Sequence, residues 1–116
     1  MPLQDWSESI LIAEMTDEPI FSEEFDSLID RLQPAGNGIP DVIVNMIAVS
    51  RLNSSNLSQL LRLRKTLISR ERRLRICSVD AAVWSVFVVT ELDQLFEFTD
   101  DVATSLASLQ IESAPR

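Results

Sequence analysis

The sequence predicts an α/β fold, a single domain in which helices alternate with the strands of a mainly parallel sheet of four to five strands. Short β-branched runs such as Val42-Ile43-Val44-Asn45-Met46-Ile47 are bounded by turn signals and read as buried strands. Between them stand apolar residues at helical spacing, Phe25, Leu28, Ile29 and Leu32 in one segment and Leu57, Leu60 and Leu61 in another. The two kinds of segment alternate from Ser22 onward, the order from which right-handed βα units build a parallel sheet.

Taken in order, Ser9 to Met15 has the apolar density of a strand, with room for a short paired strand at Leu3 to Trp6 that would join antiparallel. Asp17-Glu18-Pro19 breaks it. Ser22 offers an N-cap oxygen to a first helix, and Glu23 and Glu24 suit the positive end of its dipole. The stretch Pro34-Ala35-Gly36-Asn37-Gly38 ends that helix; both glycines of the chain fall here, as a turn with positive φ would require, and Pro40 closes the loop. After the Val42 strand, a second helix sets Leu57, Leu60, Leu61, Arg64 and Ile68 on one stripe, which Leu63 and Leu67 widen. It stops at Ser69-Arg70-Glu71 without a glycine. Arg73-Leu74-Arg75-Ile76-Cys77 alternates with period two, so Leu74 and Ile76 share a side while the arginines face the other way or flank an edge.

Asp80 is placed to cap a third helix whose apolar face carries Val83, Trp84, Phe87 and Val88; aromatic residues at this spacing read as core rather than as a ligand box. Leu95 to Phe98 alternates like a short strand, Thr99 or Asp100 caps a last helix with Val102, Ala103, Leu106 and Leu109, and fraying is expected from Ile111. The core should therefore include Leu57, Leu60, Leu61, Val83, Phe87, Phe96 and Leu106.

Composition bounds the function. At 116 residues and 46% hydrophobic, the chain can bury a core of its own. One cysteine, Cys77, excludes an internal disulfide, and the absence of histidine removes His-based metal sites and His-dependent catalysis, so no cofactor or metal is expected. The amino terminus has no basic leader, and no apolar run reaches the roughly 18 residues that span a bilayer; a cytoplasmic protein without membrane insertion is the expectation. The net charge of −8 is unevenly spread. Residues 1–50 hold ten acids against Arg31, whereas residues 51–75 hold eight basic residues against Glu71. The basic block Arg62 to Arg75 reads either as a patch for an acidic partner or polyphosphate, or as a solvated face partly neutralised by nearby acids. A repulsive overall field and arginines without interleaved aromatics argue against nucleic acid.

The corner Asn53-Ser54-Ser55-Asn56 lies between the Val42 strand and the leucine-rich helix. Its side-chain oxygens suit an N-cap, and a helix start beyond the carboxyl end of a strand is where α/β sheets gather their sites; such a corner suits a phosphate or a partner loop. Catalysis is not expected, because Ser54 and Ser55 have no histidine base and no Gly-x-Ser-x-Gly turn.

The ordered set of strand, connector, Leu52-Asn53-Ser54-Ser55-Asn56-Leu57, leucine-rich helix and strand resembles the STAS domain of bacterial anti-sigma factor antagonists. The resemblance continues through Arg73 to Cys77, Asp80 to Thr90 and Glu91-Leu92-Asp93-Gln94-Leu95-Phe96, covering roughly Ile10 to Leu109. In that family the corner reads Asp-Ser-Ser/Thr-Gly-Leu, and its first Ser or Thr is phosphorylated by a serine kinase that is also the anti-sigma factor. Ser54 falls on that position, with Ser55 as the alternate site; Asn53 stands where the family has Asp and Asn56 where it has Gly. The resemblance implies a STAS-like domain that binds an anti-sigma serine kinase through Asn53, Ser54, Ser55, Asn56 and Leu57, switched by phosphate on Ser54. It equally allows a docking module in a larger signalling assembly or transporter complex that meets another STAS-binding protein without phosphorylation.

Overall fold

The computed structural model describes residues 3–7, 9–32 and 38–113. Five strands form one sheet in sequence order: β1 (Leu3–Ser7), β2 (Ile10–Thr16), β3 (Asp41–Ala48), β4 (Leu74–Cys77) and β5 (Phe98–Thr99). β1 pairs antiparallel with β2, and every later pairing is parallel. Between the parallel strands run α1 (Ile20–Leu32), α2 (Ser54–Ser69) and α3 (Ala81–Val89), and α4 (Val102–Ser113) follows β5. The α/β class and mainly parallel five-stranded sheet are those the sequence predicts.

Strand periodicity sorts the core into two layers. Leu11, Ala13 and Met15 of β2, Val42, Val44 and Met46 of β3, and Leu74 and Ile76 of β4 face a cluster built with α1, α2 and α3. Ile10, Ile12, Ile43 and Cys77 point to the other side, where α4 covers them with Leu109, Val102 and Leu106. Both faces are thus clad, which is why these strands read as continuous apolar runs. Three helices share one face because successive parallel crossovers step across the sheet in one direction with one hand.

Several elements depart from the sequence reading. α1 starts at Ile20, so Ser22 lies in its first turn rather than capping it, and its amide is bonded 2.7 Å from the Glu18 carboxylate. The buried stripe of α2 is Asn56, Leu60, Leu63 and Leu67; it is rotated from the expected one, leaving Leu57 and Leu61 partly buried and Ile68 exposed. Leu60, Val83, Phe87 and Phe96 are buried as expected, whereas Leu106 is partly covered. Trp84 and Val88 face outward instead of joining the core. The strand expected over Leu95 to Phe98 shrinks to Phe98–Thr99: a 3-10 turn, Leu92–Gln94, precedes it, and the Leu95 amide closes that turn on the Leu92 carbonyl at 3.0 Å instead of joining the sheet. Asp101, not Thr99 or Asp100, caps α4 through the Thr104 amide at 2.8 Å, and α4 continues past Ile111 to Ser113.

Most of the turn at Pro34 to Gly38, Gly36 included, lies outside the described residues. Gly38 has no positive φ, and a Cβ there would meet open space. The left-handed positions belong instead to Glu71, Ser78 and Glu91, at φ of 59°, 60° and 62°. Glu71 explains how α2 stops without glycine: the Glu71 amide bonds the Ile68 carbonyl at 3.0 Å and the Arg72 amide bonds that of Leu67 at 2.8 Å, a Schellman termination.

Candidate functional site

Because β2, β3, β4 and β5 run parallel, their carboxyl ends gather the β2–α1, β3–α2, β4–α3 and β5–α4 connections on one edge of the sheet. The Asn53 to Asn56 corner sits there, at the start of α2. Asn53 is the N-cap, with extended backbone (φ −107°, ψ 177°). Its Oδ1 accepts from the Asn56 amide at 2.8 Å, and Asn56 Oδ1 accepts from the Asn53 amide at 3.1 Å. This reciprocal box satisfies amides of the helix start with two asparagines rather than Ser and Glu.

Asn56 is 1% exposed and turned inward. Its Nδ2 donates to Glu18 Oε2 at 3.3 Å and to Gln59 Oε1 at 3.2 Å; Gln59 Nε2 donates to the Ser22 hydroxyl at 3.1 Å, and that hydroxyl donates to Glu18 Oε2 at 2.7 Å. A closed ring of hydrogen bonds thus joins the first turn of α1 to the first two turns of α2. Asn56 holds the corner from beneath and cannot present its side chain to a partner. Leu57 is likewise partly buried against the core. Asn53, Ser54 and Ser55 are exposed.

The loop before the corner is tied by Asp17, at the carboxyl end of β2. Its carboxylate accepts from the Ser50 hydroxyl, from the Ser50 amide at 2.8 Å and from the Arg51 amide at 3.2 Å. The Ser50 hydroxyl, then the Ser50 amide, hold the Asp17 carboxyl below its ordinary value; the hydroxyl and amide of Ser22 do the same for Glu18. Asp17, Glu18, Arg51, Leu52, Asn53 and Asn56 line a depression of about 450 Å³ beside Ser54. The exposed Arg51 is the one cation among these lining residues.

The sequence reading took Asp17 and Glu18 only as strand breakers and passed over Gln59. A usable signal was present: two acids immediately after a strand adjacent to β3 must fall beside the α2 start if the sheet follows sequence order. Among the described residues no cluster of His, Cys, Asp or Glu is arranged to hold a metal ion, and no helix is long and apolar enough to cross a membrane. Cys77 is buried under α4, and that burial pushes its thiol pKa up, away from a reactive thiolate.

The basic block does not form one solvated patch. Arg73 donates to buried Asp41 through its amide at 2.8 Å and its guanidinium at 3.2 Å, and Arg72 lies 3.2 Å from the same carboxylate. Arg64 Nε reaches the Leu95 carbonyl at 2.9 Å. Arg75, only 6% exposed, donates to Ser108 Oγ at 3.1 Å and to the Leu74 carbonyl at 3.2 Å; burial lowers its pKa against the opposing charge of Glu97. Arg62, Lys65 and Arg70 are exposed on α2 and just beyond it.

The family model of the STAS domain matches residues 7–105. The chain belongs to the STAS domain family. No curated protein matches it. Among solved structures, the chain is similar to TM1081 from Thermotoga maritima, a candidate anti-sigma factor antagonist, at a TM-score of 0.79 and 15% identity over 94% of this chain and 93% of that one. An NMR structure of TM1081 gives the same score and identity, covering 87% of its chain. Moorella thermoacetica RsbS S58E is similar at a TM-score of 0.70 and 14% identity, over 98% of this chain and 100% of that one. At these identities the likeness is one of fold. In this STAS domain the Asn56 amide is folded into the ring with Glu18 and Gln59 rather than projecting from the surface.

Proposed function

We propose that this protein is a non-catalytic anti-sigma factor antagonist that binds an anti-sigma serine kinase and is switched by phosphorylation of Ser54. The carrying observation is that Ser54 is not the cap. Asn53 does the capping, so the exposed Ser54 hydroxyl at the first position of α2 serves no observed structural bond and is open to a kinase. A phosphate there adds a charge of about −1.5 to −2 at a helix start, where the dipole tolerates it, so the fold stays intact. The complex does not: new charge and bulk on a docked surface leave the partner's groups mismatched. Asn53, Ser54 and Ser55 form the exposed contact, with Asn56 and Leu57 supporting it. The STAS family membership and the likeness to anti-sigma factor antagonists support this reading.

A second reading, a docking module that is never phosphorylated, draws on the carboxylates already at the corner. Glu18 is hydrogen-bonded to Asn56, and Asp17 to the loop before it, so a phosphate on Ser54 would join two acids held in their charged form. Incubation with an anti-sigma serine kinase that binds this protein, with ATP, decides between them. The switch reading expects one added phosphate by intact mass, mapped to Ser54 and lost in Ser54→Ala, and weaker kinase binding by Ser54→Asp. No phosphate, together with wild-type binding by Ser54→Asp, leaves the docking module as the function.

A further inference from the structure

α3 crosses to the edge strand β5 and has no polar face. Of Ala81–Val89 only Ser85 is polar. Val83 and Phe87 turn inward, which leaves Trp84 40%, Val88 45% and Val89 81% exposed. The Trp84 ring meets Phe98 edge-on at 4.9 Å, and together with Val79, Thr99 and Asp100 they line a notch of about 270 Å³. The outward positions of α1 and α2 carry Glu23, Asp26, Asp30, Arg62 and Lys65, as an outward helical face in water normally does. An apolar face of this kind is a docking surface in a soluble fold.

The charges around it choose the occupant. Asp80 caps the start of α3, Glu91 and Asp93 follow its end, and Asp100 lines the notch. No Lys or Arg occurs from residue 76 to residue 115. A second copy meeting this face with its own would set acid against acid, and an anionic lipid surface would be repelled for the same reason.

We propose that the outer face of α3 docks a cationic amphipathic helix of a partner protein. Apolar residues of that helix seat on Trp84, Val88 and Val89, and its Lys and Arg flanks meet Asp80, Glu91, Asp93 and Asp100. This is helix-on-groove recognition with Trp84 as the aromatic anchor. The surface uses no residue of the Ser54 corner and does not depend on phosphorylation.

Trp6→Phe leaves Trp84 as the single tryptophan of the chain, and its emission reports binding. The probe is a synthetic Leu/Lys peptide of about 18 residues patterned for an amphipathic helix, with a Leu/Glu twin as its control. The Lys peptide should shift Trp84 emission to shorter wavelength, while the Glu peptide should not. Affinity should fall by about tenfold or more in the Val88→Lys/Val89→Lys variant, checked as folded by circular dichroism, and again between about 0.05 and 0.5 M salt. Ser54→Asp should bind the Lys peptide as the parent does, which separates this surface from the switch. An unshifted Trp84, equal binding of both peptides, or undiminished binding by the lysine variant overturns the proposal. So does a homodimer in sedimentation that Val88→Lys/Val89→Lys abolishes, since a second copy would then be the occupant.

Discussion

At the amino ends of the central strands one carboxylate, Asp41, 3% exposed, gathers Arg72 and Arg73, and Arg72 also donates to the Ser9 carbonyl at 3.1 Å. At the carboxyl ends Asp17 and Glu18 make the same kinds of bond to the starts of α1 and α2, but within reach of water. Both edges are tied by acids accepting from backbone amides and side chains. Burial makes them different in consequence. Removing the buried carboxylate takes an acceptor from the Arg73 amide and from two guanidinium groups where water reaches poorly, whereas water replaces a lost bond at the exposed edge. The end that holds the sheet together is the expensive one to change, and exposed groups at the end that carries the candidate site cost less.

The largest expected effect follows from that contrast. Asp41→Ala should lower unfolding free energy by about 1–3 kcal/mol in urea, since the Arg73 amide loses its acceptor and Arg72 and Arg73 lose a shared carboxylate. A loss no larger than a surface substitution would erase the distinction between the two edges. At the other edge Asn53→Ala removes the cap and should cost about 0.5–2 kcal/mol. Ser54→Ala, one residue on, should fall within about 0.5 kcal/mol of wild type, because Ser54 does not cap. Equal costs for these two would mean that the serine shares the capping work.

The smallest effect is a pH dependence. Asp17 and Glu18 have folded pKa values below their ordinary 3.8 and 4.5. A depressed pKa contributes stability that is present above the ordinary value and lost as pH falls through the folded one. The stability gap between wild type and Asp17→Asn/Glu18→Gln should therefore be constant from neutral pH to about 5 and narrow below about 4. A gap that widens with acid would reverse the sign assigned to these hydrogen bonds.

How legible these features were in the sequence depended on range. Val42 to Ile47 and the Phe25, Leu28, Ile29 and Leu32 face were readable because periodicity is local. The corner was readable because Asn53 and Asn56 cap from within four residues. The Glu18–Asn56 and Asp17–Ser50 bonds span 38 and 33 residues, and only the sheet order brings them together. The stripe of α2 was misplaced by one position because leucines occur on adjacent faces, and Asn56, buried by its hydrogen bonds, occupies a core position that an apolar pattern does not mark. Trp84 was misread for the opposite reason: an apolar residue marks the core only where other elements enclose it, and Trp84 meets Phe98 along one edge while 40% of it stays exposed.

The sheet ends in β5, two residues long, next to a four-residue β4. So short an edge offers an incoming strand few backbone partners, and the opposite edge, β1, is three-fifths exposed and carries Asp5 paired with Arg31. Neither border is a good template for strand addition. Edge-to-edge pairing of copies is therefore opposed by the length of the strand at one border and by a charged pair at the other.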